Sequence, residues 1–296
     1  IEVTVGAYVN DIHEVDLRTN NYFADVYVWM RWTDPSFDPS ASMEAMNPAA
    51  PWDLVDDPLY DAPVPQPDGS LLQVIRFEGT FNTDLPLDKY PFDRQVLTVE
   101  LEDDTYPSDA LVYVADSEGV TISSSIRIPG YDVEPATMSI ADNDYPTRFG
   151  DLSMAEPAPY SRVTIGVPIV RPAFANIVKI LLPILIVVIV AALTLLIRPD
   201  HIEGRIGMGI TALLTIVALQ FTTSQELPQV TYLTMLDVLY ILSSGFVLVV
   251  MARAVWSSWH GDEPERMAAT GRGDRRIVGL SDRKSTRLNS SHGYIS

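Results

Sequence analysis

Cysteine is absent from all 296 residues. This excludes disulfides, thiolate metal sites and thiol nucleophiles together, so any export to an oxidising compartment proceeds without covalent staples. Basic side chains are scarce, 20 against 39 acidic ones, and only Lys89, Lys179 and Lys284 are lysines. The deficit is one-sided. Residues 1–172 carry 30 acids and 9 bases, whereas residues 173–296 carry 9 acids and 11 bases. So acidic a first half repels phosphate backbones, which argues against nucleic acid as a partner, and it favours cations. Such a surface also suits a saline habitat.

Catalytic constellations are missing too. The four histidines (His13, His201, His260, His292) are scattered, and no serine sits in a Gly-x-Ser-x-Gly elbow. Gly207-Met208-Gly209 lies within an uncharged run and follows no strand, so it cannot cradle phosphate as a strand-to-helix loop does. The sequence therefore argues against an enzyme and implies no cofactor. The run Glu100, Glu102, Asp103, Asp104 has two readings, oxygen ligands for a hard cation or a solvated acidic loop.

What is present in quantity is apolar length. Residues 180–197 are eighteen positions without a charge, close to the ~20 needed to cross a bilayer core. Residues 206–225 are also uncharged but hold Thr211, Thr215, Gln220, Thr222, Thr223 and Ser224, too polar a set to face lipid on every side. A third run spans about Tyr232 to Ala252, with Asp237 as its one charge. An acid inside a span is costly in lipid, so Asp237 is expected to face a bundle interior or interface. Arg198, Arg205 and Arg253 flank these runs on one side, and the positive-inside rule then puts residues 1–172 outside. The chain opens at Ile1 with no charged leader, so export is inferred from topology alone.

The first half reads as strands. Residues 22–32 alternate with period two, placing Ala24, Val26, Val28, Met30 and Trp32 on one face and Asp25, Tyr27, Trp29 and Arg31 on the other. The alternation returns with Leu97, Val99 and Leu101, and again with Val163, Ile165, Val167 and Ile169. Turn residues such as Pro67-Asp68-Gly69 separate such runs, which predicts an antiparallel β-sandwich.

Tyr90-Pro91-Phe92-Asp93-Arg94-Gln95 resembles the signature loop of pentameric ligand-gated ion channels, the Cys-loop receptor superfamily, with Thr83 and Leu97 where the animal receptors have their two cysteines. Trp32-Thr33-Asp34, Arg171, Pro183, and Leu227-Pro228 with Tyr232 match further family motifs in order, over about Ile1 to Trp256. The resemblance implies an α+β membrane protein: an immunoglobulin-like extracellular antiparallel β-sandwich of about ten strands (1–172), then an α-helical bundle with three spans (173–256). Residues 257–296 form a cytoplasmic tail without the family's fourth span. Its end, DRKSTRLNSSHGYIS, looks like translated adaptor sequence, so a truncated or chimeric reading frame is expected.

Further roles follow from the resemblance. Helical spacing puts Glu203, Gly207, Thr211, Leu214, Ala218, Phe221 and Gln225 on one stripe, which matches the family's pore-lining register. Five copies of Glu203 would form an anionic ring selecting cations, and rings of Leu214, Ala218 and Phe221 a dewetting gate. Asp16, Asp93, Arg171 and Pro228 fall where the family couples sandwich to helices, with both aspartates expected to reach Arg171. Tyr27, Tyr60, Tyr106, Tyr145 and Tyr160 stand on strands and loops matching the agonist box, with Asp104 at the position of the box's central tryptophan. Its agonist stays open between an amine, a divalent ion and a proton. The implied assembly is a homo-pentamer passing monovalent cations in a bacterial inner membrane, with the first domain periplasmic. Alternatives are a membrane-anchored binding receptor without conduction, or a non-functional fragment.

Overall fold

The computed structural model describes residues 1–150, 156–198, 201–225, 227–228 and 230–259. It divides into two compact units, the first Ile1–Ala173 and the second from Phe174 onward. In the first, two sheets are built from β1 (Glu2–Asp16), β2 (Asn21–Trp32), β3 (Met43–Ala45), β4 (Val55–Pro58), β5 (Val64–Pro65), β6 (Leu71–Asn82), β7 (Arg94–Asp103), β8 (Val112–Ile122), β9 (Asp132–Val133), β10 (Thr137–Asn143) and β11 (Tyr160–Val170). One sheet runs β4-β6-β2-β1-β8 with β5 beside β6, and the other β10-β11-β7-β3 with β9 beside β11.

The inward residues of each strand explain this packing. Val3, Val5, Ala7 and Val9 of β1, the alternating set of β2 and Ile75, Phe77 and Phe81 of β6 are buried. They face Leu97, Val99 and Leu101 of β7 and Val163, Ile165, Val167 and Ile169 of β11 in one core. Burying each large apolar side chain contributes about 1.5–3 kcal/mol, so the two faces cannot stay apart in water. One pairing departs from the antiparallel expectation: β1 and β8 run parallel, Glu2 opposite Val112. A parallel neighbour needs a long return connection, and the chain between these strands is ample.

Two local devices fix the frame. Asn47 donates from Nδ2 to the carbonyls of Asn82 and Thr98, 2.6 Å each, and its Oδ1 accepts the Glu100 N–H at 3.0 Å, so one side chain ties the end of β6 to β7 of the other sheet. Gly6 is needed because the Trp29 indole lies directly over it; a Cβ there would come within 2.2 Å of the ring. The Trp29 indole N–H donates to Asp116 at 2.8 Å, and Arg31 donates to the same carboxylate at 2.7 Å.

In the second unit α1 (Ala173–Asn176) leads through a π-helical turn, Ile177–Leu181, into α2 (Leu182–Leu193). The widened turn directly precedes Pro183, whose ring and missing N–H disturb the backbone ladder. α3 (Ile202–Ser224) and α4 (Met235–Trp259) follow. Among the described residues three stretches are long and apolar enough to cross a membrane: Ile177–Leu196, Ile202–Ser224 and Met235–Ser257. The second starts earlier than its uncharged run because Glu203 and Arg205 are themselves helical. The third starts later, for Thr234 and Asp237 form a capping box: Asp237 Oδ2 accepts the Thr234 N–H at 3.0 Å, and Thr234 Oγ1 accepts the Asp237 N–H at 3.1 Å. Asp237 is thus a first-turn cap, not an acid in mid-span. The chimeric tail expected at the C-terminus lies outside the described residues from 260 onward.

Candidate functional site

Three groups of side chains from the sequence reading have defined surroundings. The first is the loop between β6 and β7. Asp93, 2% exposed, is the carboxylate partner of Arg171, whose Nε donates to Oδ1 at 2.7 Å. Gln95 donates to the other oxygen at 2.7 Å. The guanidinium also donates to the Tyr131 hydroxyl at 2.5 Å and lies over the rings of Tyr90 and Tyr131, 5.0 and 4.4 Å from their centroids. Burial pushes the Tyr131 hydroxyl up to about 12, against the pull of Arg171 and with help from Asp93. Asp16 is placed differently. It sits in the β1–β2 turn, accepts the Arg18 N–H at 2.7 Å and, among the described residues, makes no ion pair with Arg171. Pro228 belongs to the second unit, between α3 and α4.

The second group is the aromatic set. Tyr145 meets Tyr160 edge to face at 5.8 Å and Phe149 at 5.2 Å. Beneath them Glu102 accepts from the Tyr145 hydroxyl at 2.7 Å and from Arg162 Nε at 2.5 Å, while Arg162 Nη1 donates to Glu100 at 2.7 Å. Burial lifts the Tyr145 hydroxyl above its ordinary value, and the bond to Glu102 adds to this. Tyr106 packs instead on Phe37 at 4.7 Å. Tyr27 stacks under Arg76, 5.6 Å away, and the Tyr60 carbonyl accepts from Gln73. Among the described residues no ring contact joins Tyr27, Tyr60 or Tyr106 to the Tyr145–Tyr160 pair. Asp104 is exposed, with Oδ1 accepting its neighbour Thr105's hydroxyl at 2.6 Å.

Arg162 escaped the sequence reading, and with it the nature of the acidic run. Glu102 and Asp103 are buried, not solvated, and Glu100 and Glu102 both pair with one arginine on the neighbouring strand. Among the described residues no group of His, Asp and Glu could hold a metal ion. The available signal was the β7–β11 register, in which Val163 faces Leu101 and Arg162 therefore lies across from Glu102.

The third group is on α3. Glu203, Gly207, Thr211, Leu214, Ala218, Phe221 and Gln225 are all exposed in the single chain, Leu214 by 64% and Phe221 by 66%. The opposite face, Arg205, Gly209, Ala212 and Ile216, is buried against the unit's other helices. Arg205 reaches the Thr194 carbonyl at 3.2 Å and the Ser257 hydroxyl at 2.7 Å, tying the ends of three helices. Gly209 allows close approach to α4, since a Cβ there would meet Met251 Cγ at 2.5 Å. Thr211, Thr215 and Thr222 donate their hydroxyls to carbonyls four residues back at 2.8–2.9 Å, so the helix is less polar than its composition implies.

A β-sandwich followed by three helices fit to cross a bilayer defines a multi-pass membrane protein with a folded domain outside the spans. No protein-family model matches the chain. A gamma-aminobutyric acid receptor subunit beta from Lymnaea stagnalis is 25% identical over 207 residues, 68% of this chain and 39% of that relative. The chain thus spans about two fifths of the length of this curated relative. This distant similarity supports the resemblance of the Tyr90–Gln95 loop to the Cys-loop receptor superfamily.

Proposed function

We propose that the chain is a subunit of a homo-pentameric, cation-selective ligand-gated ion channel, opened by a small molecule or by protons acting on the β-sandwich. The observation that carries this reading is the two-faced α3: one stripe packs within its own chain, while the stripe from Glu203 to Gln225 is left for other copies or water. A ring of copies lets that stripe enclose a water path, and closed cyclic symmetry is the usual solution. Glu203 then supplies an anionic ring that attracts monovalent cations, Leu214, Ala218 and Phe221 supply rings that shut by dewetting, and Thr211 and Gly207 form a narrow filter between. In this reading Asp93 and Arg171, with Asp16 and Pro228, couple the sandwich to the helices. Asp104 and the tyrosines at 27, 60, 106, 145 and 160 form the agonist site between neighbouring subunits. The sandwich faces the periplasm of a bacterial inner membrane.

The test is current recording from purified protein in planar bilayers, in asymmetric salt, over a range of pH and a panel of amines. Cation-selective currents are expected, with Glu203→Gln shifting the reversal potential toward the anion side. Anion-selective currents, or a reversal potential indifferent to the substitution, would remove Glu203 from the filter. A protein that binds ligand and never conducts would overturn the channel reading.

A further inference from the structure

Asp103 ends β7 immediately before the Asp104–Tyr106 loop, and the residue is 2% exposed. Oδ2 accepts the Ser42 hydroxyl at 2.7 Å. Oδ1 accepts two backbone N–H groups, Thr105 at 3.0 Å and Tyr106 at 2.7 Å. These three donors are neutral. Across β3 the facing residue is Met43. From β8 comes Tyr113, buried and neutral, whose hydroxyl lies in the field of Asp103 and Glu102 and has no hydrogen-bond partner among the described residues. Next to Asp103 on β7, Glu102 is already matched by Arg162, and Asp104 adds a second negative charge beside the buried one. Among the described residues no cation is paired with Asp103.

A buried carboxylate in such a setting is disfavoured as the anion, and its burial, with Asp104, lifts it above the ordinary carboxylate value against the pull of its three donors. The hydrogen-bond frame tolerates the neutral acid. A proton on Oδ2 turns the bond with Ser42 round, the carboxyl donating and the hydroxyl accepting, while Oδ1 keeps both backbone donors.

We propose that Asp103 is a proton-sensitive positioning residue for the Asp104–Tyr106 loop: uptake of one proton at its carboxyl removes a buried charge without losing a hydrogen bond and so fixes the loop in the conformation described. Because the loop carries Asp104 and Tyr106, its consequence for agonist response rests on the channel reading given above; the proton linkage itself does not.

The sign follows from the direction of the shift. A carboxyl raised in the folded state is a liability above its folded value, and the liability is relieved as pH falls through that value toward the ordinary 3.8. Asp103→Asn reproduces the neutral form, with one oxygen accepting and an amide donating to Ser42. The experiment is thermal unfolding of the full chain in detergent micelles at pH 8, 7, 6, 5 and 4, for wild type, Asp103→Asn and Asp103→Ala. Asp103→Asn should melt higher than wild type at pH 8, with the gap closing as the pH falls. Asp103→Ala should melt lower at every pH, because both backbone donors are orphaned. A gap that is absent, or that does not change with pH, overturns the proposal, since a merely structural acceptor would show no such profile. Where Asp103→Asn fails to fold, Ser42→Ala supplies the second reading: it takes a donor from the anion, so the carboxyl rises further and the gain on acidification should exceed that of wild type, and an unchanged or smaller gain would sink the idea. Current recording over the same pH range separates the two claims. Absence of any current strikes at the channel, while the melting gap reports on Asp103 alone.

Discussion

Replacing Arg171 by alanine should cost the sandwich more than any surface substitution, and the structure says why. The side chain is 14% exposed and its partner carboxylate 2%. Truncation removes the 2.7 Å charge-assisted bond to Asp93, the 2.5 Å bond to Tyr131 and two cation-π contacts, and leaves Asp93 with Gln95 as its remaining side-chain donor. Removing one partner of a buried pair costs about 3–5 kcal/mol, because the survivor is an uncompensated charge. For a unit of this size each kcal/mol moves Tm by about 2–4 °C, so a fall of about 6–20 °C is expected. Tryptophan fluorescence is a suitable probe, with Trp29, Trp32 and Trp52 all in the first unit. The double variant Asp93→Asn with Arg171→Ala should lose less than the sum of the singles, since the orphaned charge is gone. A single variant within about 2 °C of wild type, or strictly additive losses, would show that the pair is an ordinary solvated contact worth under ~1 kcal/mol.

Other outcomes can be stated briefly. Leu214→Ser should raise spontaneous opening or lower the agonist needed, read as open probability; no change in either would mean that Leu214 faces a neighbouring helix instead of water. Gly209→Val drives a side chain into Met251 and should lower helix stability by about 1–3 kcal/mol, followed by circular dichroism in detergent, with partial rescue by Met251→Ala. Asp116 is drawn upward by burial, yet bonds from Trp29, the Glu118 N–H, Arg31 and Ser117 hold it at about 2. Its stabilisation is therefore present above 3.8 and lost as pH falls toward 2, so Asp116→Asn should make acid unfolding in that window shallower.

The legible parts of the fold were those where one strand carries its own contrast. β2 alternates cleanly for eleven residues, and β7 and β11 nearly as well. β6 was hidden because Leu72 and Val74 lie on its outward face and erase the contrast with Ile75 and Phe77. β1 was hidden by small inward residues around Gly6 and by a bulge between Val9 and Asp11. The charged clusters were less accessible still, because Arg162 with Glu102 and Arg171 with Asp93 are contacts across 60 and 78 residues that depend on the register of paired strands. The run Glu100 to Asp104 read as solvated because composition carries no information about which carboxylate turns inward. In contrast, the Thr234-x-x-Asp237 cap was visible in principle, obscured by reading span limits from hydropathy alone.

The position of β11 in its sheet bears on how the chain is made. Among the described residues it is the last strand in sequence, yet it lies inside its sheet, between β10 and β7, with β9 also beside it. During synthesis β1, β2 and β6 can assemble as neighbours and β3 can pair with β7, but β7 lacks its other neighbour until Val170 has emerged. The next membrane-competent helix begins at Ile177. Closure of the core thus waits until the chain is about to enter the bilayer, and through that interval the apolar face of the first sheet stays uncovered. A chain arrested shortly before residue 160 should stick to chaperones and to its own copies, whereas one arrested just beyond Ala173 can bury its core before any helix has found a neighbour.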